Sequence, residues 1–325
     1  MNYRSTLEVA KYLPAHSVLR LDLVSRSWNH MAVCDELWST LLEGAGLAEY
    51  RCSGSFKHSY RLQKQNQHVL AFIKQGRVLR YNCGRRKWQP AVVLSEYPVQ
   101  IDDASLTLLP EGSLMVLGII TRDSSKAVYS VSAQGSIERL RDTLNIRVKT
   151  GALCCRGVVY AFGSLSYGEG RTCEKLVLRS CTALEQNTWQ PLPDMLDSRF
   201  RFVPVEFAGS VYLNGGWCNT CEVFEIRSEC FSKLSLNLAN HYDCFSAVSA
   251  EQMEVFTLKG IAVYKWLDKG CTIVERRPLA SEGTRVLGCL RVKQRLYTVL
   301  DWRVYEYRLD NNYEAIIVKK QAEIS

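Results

Sequence analysis

The sequence predicts a mainly β protein that begins with a small all-α unit. Two observations support this fold class directly: apolar residues recur at helical spacing within residues 1–45, and short β-like runs fill residues 68–320. A third observation is that these β-like runs repeat at a regular interval. Residues 46–67, which end in a polar stretch, are predicted to link the two units.

The first unit is predicted to form four short helices. Leu7 and Leu13 belong to the first apolar stripe, and Pro14 can end that helix because it lacks an N–H. Gly44 and Gly46 are placed to terminate the last helix. Four short helices cannot bury their apolar residues within so short a segment, so the unit is expected to need a partner surface.

The β-like part contains an apolar run that occurs six times. The aligned second residues of the six copies are Leu70, Met115, Tyr160, Tyr212, Phe256 and Tyr297. Their spacings of 45, 45, 52, 44 and 41 residues match the period of a four-stranded propeller blade. We therefore predict a β-propeller of about six blades over residues 68–320, with an unrepeated β-sandwich as the alternative.

Each copy is followed by a second alternating strand and, after a polar turn, by a short outer strand. Two outer strands open with the same Trp-Gln-Pro triplet, at Trp88 and at Trp189. On this alignment the first copy lacks an innermost strand, which either end of the β-like part, for example residues 313–318, would have to supply. The sequence decides neither the closing strand nor whether the ring has six or seven blades.

Composition and charge narrow the functional classes. The net charge is +8, but the basic runs are short and far apart, whereas a nucleic-acid-binding protein usually concentrates its charge in a stripe. No apolar stretch approaches the roughly 18 residues of a membrane span, and the N-terminus carries no apolar signal segment. The 13 cysteines are odd in number and scattered, as expected for reduced thiols in the cytoplasm, the nucleus or both.

The sequence carries no recognisable catalytic, metal or cofactor site. Cys218 and Cys221 have the spacing of half a zinc site, but no second ligand pair follows them. The five histidines are dispersed, and no glycine pattern marks a nucleophile or a phosphate-binding loop. We therefore expect a binding protein rather than an enzyme.

The N-terminal residues resemble an F-box. The resemblance rests on Leu13-Pro14, on Val24-x-x-x-Trp28 and on Leu37-Trp38 ten residues further on. The family usually opens with an additional Leu-Pro pair about twelve residues before Leu13, where this sequence has Met1 and Asn2. The chain is accordingly expected to start inside the motif, either as a variant of it or because its start lies too far downstream.

The F-box resemblance implies that this unit docks on the Skp-type adaptor of a cullin-RING ubiquitin ligase. The apolar set that the motif carries over comprises Leu13, Pro14, Leu19, Leu23, Val24, Trp28 and Trp38. Direct adaptor contact is expected of Leu13, Pro14 and Leu19 in particular. Packing among the helices is an equal alternative for Leu23 and Val24, and the two tryptophans are expected to join the F-box to the linker.

The β-like repeats resemble kelch repeats. The fourth copy, Gly209 to Gly216 followed by Val223-Phe224, is the clearest, and the third keeps Gly157 to Gly163. Kelch repeats carry a Gly-Gly doublet after the second strand, which permits a tight turn with positive φ. Only Gly215-Gly216 preserves the doublet here, and the third copy has Gly163-Ser164. The resemblance implies a kelch-like propeller with degenerate blades.

Propellers bind their partners through loops at the mouth of the central channel, because function tends to reside in loops carried by a rigid scaffold. The residues expected to bind a substrate protein are Tyr167, Arg171, Arg199, Arg201, Trp217, Tyr242, Arg285 and Trp302. Arginines at such a mouth would suit an acidic or phosphorylated motif. The alternative for Arg199 and Arg201 is that they tie neighbouring blades together.

Together these resemblances imply a substrate-recognition subunit of an SCF-type E3 ubiquitin ligase, with an unknown protein as its target. The alternative is a propeller scaffold of the same architecture that works independently of ubiquitin ligation.

Overall fold

The structure is a computed structural model of the 325-residue chain. It describes most residues from Val69 to Leu234 and, from Phe245 to Gln321, the backbone of the strands. Residues 1–68, 322–325 and a number of connecting segments, the longest being 95–103, 179–186, 235–244 and 278–285, are outside the described part. The predicted helical unit and linker therefore lie outside the described residues.

The described residues form six antiparallel sheets that follow one another along the chain. The first sheet contains β1 (Val69–Lys74), β2 (Arg77–Asn82), β3 (Lys87–Trp88) and β4 (Val92–Val93). The second contains β5 (Ser105–Leu108), β6 (Leu114–Ile119), β7 (Ala127–Val131) and β8 (Ile137–Leu140). The third contains β9 (Gly151–Cys155), β10 (Val158–Phe162), β11 (Cys173–Val177) and β12 (Trp189–Leu192).

The remaining three sheets continue the same order of strands. The fourth contains β13 (Val205–Phe207), β14 (Ser210–Asn214), β15 (Cys221–Glu225) and β16 (Cys230–Leu234). The fifth contains β17 (Phe245–Val248), β18 (Gln252–Thr257), β19 (Gly260–Leu267) and β20 (Gly270–Arg277). The sixth contains β21 (Val286–Val292), β22 (Arg295–Leu300), β23 (Arg303–Leu309) and β24 (Ala315–Gln321). In the second to sixth sheets each strand pairs with the next one in the chain.

The first sheet departs from this pattern, because β3 and β4 both pair with β2. Tyr81 pairs with Trp88 and Val78 with Val92, so the two short strands lie along the same edge of β2. Between them the N–H of Gln89 donates to the carbonyl of Arg80 over 2.9 Å. β3 and β4 are thus one interrupted third strand.

The structure corrects the alignment of the first repeat. The aligned runs of the other five copies lie in second strands, but the run at Val69 is β1, the first strand of its sheet. The first sheet therefore has its own inner strand. The segment expected to supply it, residues 313–318, contributes instead to β24, which pairs with β23 in the sixth sheet.

The first strands of the sheets neighbour one another in a circuit. β1 lies beside β5, β5 beside β9, β13 beside β17, and β17 beside β21, which in turn lies beside β1. The ring of Phe202, which lies three residues before β13, packs against Gly151 of β9 so closely that a Cβ there would come within 2.6 Å of it. The arrangement is propeller-like, since in a propeller the first strands surround a common axis.

Neighbouring sheets bury each other's faces. All six residues of β6 are buried, and its side chains pack with Val78, Leu94 and Tyr129 between the first and second sheets. A second core, between the third and fourth sheets, is built around Phe162 and Phe224, whose ring centroids are 5.7 Å apart. Because these sheets are covered on both faces, their strands read as apolar runs rather than as a strict alternation.

Arg80 links the first sheet to the second. It lies on β2, and its guanidinium donates to the carbonyls of Gly112 (3.2 Å), Val131 (2.5 Å) and Ser132 (2.9 Å). Burial lowers the pKa of Arg80 to about 10, which still leaves it protonated at neutral pH. A buried cation held by carbonyl groups of the next sheet therefore fixes the spacing of these two sheets.

Candidate binding face

A buried ion pair anchors the segment that leads into the third sheet. Arg147, in the segment before β9, is completely buried, and its Nε donates to Oε1 of Glu174 on β11 over 2.5 Å. Its Nη1 donates to the carbonyls of Gly163 (3.1 Å) and Thr172 (2.8 Å). The second oxygen of Glu174 accepts the N–H of Leu144 over 2.7 Å. The pair is held in place by further hydrogen bonds, which a buried ion pair needs to offset its desolvation.

The fourth sheet repeats this arrangement around Arg199. This arginine is also completely buried, and its Nη2 and Nε donate to Oε1 of Glu222 over 3.0 and 3.1 Å. Its Nη1 donates to the carbonyls of Gly215 (2.6 Å) and Thr220 (2.8 Å). Oε2 of Glu222 accepts the N–H of Leu196 over 2.8 Å. Each partner of Arg147 thus has a counterpart around Arg199.

The burial of Arg199 corrects its assignment to the substrate-binding set. Its side chain exposes no surface, and the guanidinium is occupied by groups of its own sheet. Its side-chain hydrogen bonds run to the fourth sheet alone, so they do not form the blade-to-blade tie of the alternative either. Arg201, two residues further on, has an exposed side chain and is not part of this network.

Main-chain hydrogen bonds join four connecting segments into one surface. The N–H of Leu165 donates to Val148 (2.8 Å) and that of Arg201 to Lys149 (2.7 Å). The N–H of Arg199 donates to Gly170 over 2.9 Å, and that of Phe200 to Gly216 over 3.2 Å. We call the described residues of 141–150, 163–172, 193–204 and 215–220 the loop face. These segments follow the second or fourth strands of the second, third and fourth sheets, so they lie at the same end of the three sheets.

The loop face presents large apolar side chains to solvent. Tyr167 is fully exposed, and Trp217 is 60% exposed. Leu144, Leu165 and Leu196 are each 42% exposed. Six large hydrophobic residues are exposed among those whose side chains the structure describes, and of these only Val93 lies elsewhere. Exposed apolar residues that cluster on one surface are typical of an interaction site.

Trp217 is held in a backbone conformation that bulky residues rarely adopt. Its φ is 73°, and it follows Gly215 and Gly216, whose φ angles are 67° and 77°. Its ring stacks on that of Phe200 with centroids 5.3 Å apart and an interplanar angle of 27°. The chain leaves the second strand in a left-handed turn that directs an aromatic ring onto the surface instead of into the core.

Cationic side chains lie beside these apolar residues. Arg171 is exposed, and its Nε donates to the carbonyl of Met195 over 2.6 Å, which leaves the end of the guanidinium facing outwards. Arg201 is exposed and makes no ion pair with any residue that the structure describes. Lys149 is half-buried at the matching position of the preceding segment.

The structure therefore brings Tyr167, Arg171, Arg201 and Trp217 of the expected binding residues onto one surface. Tyr242, Arg285 and Trp302 lie outside the described residues, as do the seven residues expected to contact the adaptor. For all of these the assignments stay predictions.

Four residues of the loop face were missed by the sequence reasoning: Leu144, Leu165, Leu196 and Phe200. A signal for three of them exists in the spacing of the chain. Leu144 and Leu196 are 52 residues apart, and so are Leu165 and Trp217. Leu144 and Leu196 precede Arg147 and Arg199 by three residues, and Leu165 and Trp217 follow them by 18 residues. A second alignment anchored on the two arginines would therefore have found them.

The thiols of the described cysteines differ in their surroundings. Burial raises the pKa of Cys155 and of Cys173 to about 12, with Glu206 adding to the effect at Cys155. Cys230, at the start of β16, is exposed. Because the thiolate is the reactive form, the first two residues are chemically inert at neutral pH.

Brief alkylation of the folded protein with iodoacetamide at pH 8 is expected to modify Cys230 at least ~10-fold more than Cys155 or Cys173. Mass spectrometry of the proteolytic peptides measures each site separately. In 6 M guanidinium chloride, where burial is lost, the difference should disappear. Equal labelling of Cys173 and Cys230 in the folded protein would show that the third sheet is not packed as described.

No group of three or more potential metal-ligating side chains occurs among the described residues. Cys218 lies at the loop face with its Sγ 3.2 Å from the carbonyl of Gly215, while Cys221 is buried on β15. Among the described residues there is no helix that is long and apolar enough to cross a membrane.

Comparison with known proteins identifies the N-terminal unit. Residues 6–43 match the family described as F-box-like, which confirms the F-box resemblance seen in the sequence. No curated protein matches the chain. The chain therefore carries an F-box-like domain ahead of a mainly β part that is built from four-stranded antiparallel sheets in a propeller-like arrangement.

Proposed function

We propose that this protein is the substrate-recognition subunit of an SCF-type cullin-RING ubiquitin ligase. The observation that carries the proposal is the F-box-like match of residues 6–43, because F-box domains generally bind Skp-type adaptors. The β part would be a six-bladed kelch-like propeller, supported by the six described sheets and by the contact between β21 and β1. The target is a protein that binds the loop face.

In this function the chain performs no bond chemistry of its own. It would hold a target lysine close to the ubiquitin-charged enzyme of the ligase, so that an encounter between separate molecules becomes effectively intramolecular. The two buried arginine–glutamate pairs support such a role, because they fix the loop face relative to the sheets. We place the protein in the cytoplasm, the nucleus or both, and assign it neither a nucleic-acid nor a membrane partner.

The first test is recovery of the adaptor. The full chain, expressed with an affinity tag, should co-purify a Skp-type adaptor and a cullin. The double variant Leu13→Asp with Leu19→Asp should lose at least ~90% of both, because charges at apolar contact positions of an interface are left without partners. Quantitative immunoblotting of the eluate measures the loss.

Arg227→Glu is the matched control, since it reverses a charge at an exposed turn of the fourth sheet, far in sequence from the F-box. It should retain the adaptor fully. If the unaltered chain recovers no adaptor, the receptor proposal is wrong, and the alternative of a scaffold independent of ubiquitin ligation takes its place. If the double variant binds as well as the unaltered chain, the assignment of Leu13 and Leu19 is wrong.

A further inference from the structure

The loop face contains a track of residues that runs from the third sheet to the fourth. Its members are Leu165, Lys149, Arg201, Phe200 and Trp217, and we call them the inner track. Main-chain hydrogen bonds connect these residues. The N–H of Leu165 donates to Val148, the residue before Lys149, and the N–H of Arg201 donates to Lys149. The N–H of Phe200 donates to Gly216, the residue before Trp217. Apolar side chains thus stand at both ends of the track, and two cationic residues lie between them.

Backbone strain marks the same residues. Five non-glycine residues of the described part have a positive φ, and three of them, Lys149 (53°), Arg201 (57°) and Trp217 (73°), belong to the inner track. The other two, Arg156 and Glu229, lie in the tight turns between paired strands, where this conformation is ordinary. Glycine would relieve the strain at each of these three positions. The presence of larger residues there therefore favours a function for their side chains.

Three of the four acidic residues of the loop face, Asp142, Glu169 and Asp197, have described partners, and the fourth, Asp194, is exposed. Glu174 and Glu222 are buried and neutralised by Arg147 and Arg199. Asp197 accepts hydrogen bonds from Thr220 (2.7 Å) and Lys233 (3.1 Å). Glu169, on the outer part of the loop face, accepts a hydrogen bond from Thr172 over 3.2 Å. Arg201 is left without an ion-pair partner among the described residues, next to an exposed aromatic stack.

We propose that the inner track binds a linear segment of the target protein that carries an aromatic or aliphatic side chain next to acidic residues. The apolar side chain would pack on the Trp217–Phe200 stack, and the acidic groups would pair with Arg201, whose planar guanidinium matches a carboxylate or a phosphate. Tryptophan and arginine are the residues that most often dominate binding energy at interfaces. This inference rests on the proposed function in one respect, that the loop face is the surface offered to the target.

The test is a selection of random twelve-residue peptides displayed on phage, with the immobilised full chain as bait. Enriched peptides should combine Asp or Glu with a neighbouring Phe, Tyr, Trp, Leu or Ile. A fluorescein-labelled peptide of the enriched sequence is then titrated with the protein, and its anisotropy gives the dissociation constant. Trp217→Ala and Arg201→Glu should each weaken binding at least ~10-fold, while Arg227→Glu should not change it.

Three further peptide variants separate the contribution of the acidic groups from that of the apolar side chain. Replacing the acidic residues of the peptide by their amides should abolish the difference between the unaltered chain and Arg201→Glu, and replacing its apolar residue by alanine should abolish that seen for Trp217→Ala. A peptide with phosphoserine in place of one acidic residue distinguishes carboxylate from phosphate as the preferred anion. The melting temperatures of both variants, measured alongside, should stay within a few degrees of the unaltered chain.

Enrichment of basic peptides, or equal binding of the enriched peptide to the Arg201→Glu variant, would overturn the inference. So would an absence of enriched peptides. None of these three results bears on recovery of the adaptor through the F-box. Failure of this inference is therefore distinguishable from failure of the proposed function.

Discussion

Replacing Arg199 by methionine is expected to lower the free energy of unfolding by about 3–5 kcal/mol. The substitution keeps most of the side-chain volume but leaves the carboxylate of Glu222 completely buried without its cation. It also removes the donors to the carbonyls of Gly215 and Thr220. Melting temperature and guanidinium-induced unfolding, followed by circular dichroism, measure the effect, and the melting temperature should fall by roughly 10 °C.

Arg201→Met is the matched control, because it makes the same change two residues away on an exposed side chain. Its stability should stay within about 0.5 kcal/mol of the unaltered chain. The double variant Arg199→Met with Glu222→Leu should be more stable than Arg199→Met alone, since it removes the unpaired charge. If Arg199→Met and Arg201→Met are equally stable, the buried pair does not hold the fourth sheet together.

The same reasoning applies to Arg147 and Glu174, which hold the third sheet in the same way. The third and fourth sheets therefore share this pair, with the same set of hydrogen-bond partners in each. Because each arginine lies in the segment that enters its sheet, it fixes that segment against the second and third strands. The two buried ion pairs therefore hold the arginine-bearing segments of the loop face against the sheets.

The fold could be predicted from the sequence only as far as apolar periodicity reaches. The six runs identified the repeating unit, because a strand buried between neighbouring sheets must be apolar. They did not reveal position within a sheet, because the apolar run of β1 is similar to the runs of the second strands, and the run at Val69 was therefore assigned to the wrong strand. The turn glycines Gly76, Gly157 and Gly209, all with positive φ, mark the first hairpin and would have set the register.

The exposure of the candidate binding face was predictable in part. Tyr167 and Trp217 were predicted as binding residues because function tends to reside in loops, and the structure exposes both side chains. Arg199 was misassigned because a buried arginine and a surface arginine look the same in a sequence. The distinguishing signal was a repeated Thr-Cys-Glu triplet, at Thr172 and at Thr220, whose glutamates neutralise the two arginines. A repeated acidic residue inside a buried strand indicates a buried partner.

Replacing Gly118 by alanine is expected to cost about 2–5 kcal/mol in the free energy of unfolding. Gly118 interrupts β6 with a φ of 80°, and a Cβ there would lie 1.6 Å from the carbonyl oxygen of Arg147. The left-handed conformation accounts for about 1–2 kcal/mol. Crowding of the backbone that carries Arg147 adds about 1–3 kcal/mol, because neither chain segment can move without disturbing a sheet.

Gly168→Ala separates these two contributions. Gly168 has nearly the same φ, 78°, but a Cβ there would meet no atom within 4 Å. Only the conformational cost of about 1–2 kcal/mol should be measured for this variant by guanidinium-induced unfolding. Gly163, where a Cβ would lie 2.2 Å from the carbonyl oxygen of Arg199, should behave like Gly118. Equal losses of unfolding free energy for all three variants would mean that the positive φ alone requires glycine at these positions. Larger losses at Gly118 and Gly163 would show that these positions stay glycine so that the arginine-bearing segment of the next sheet can approach.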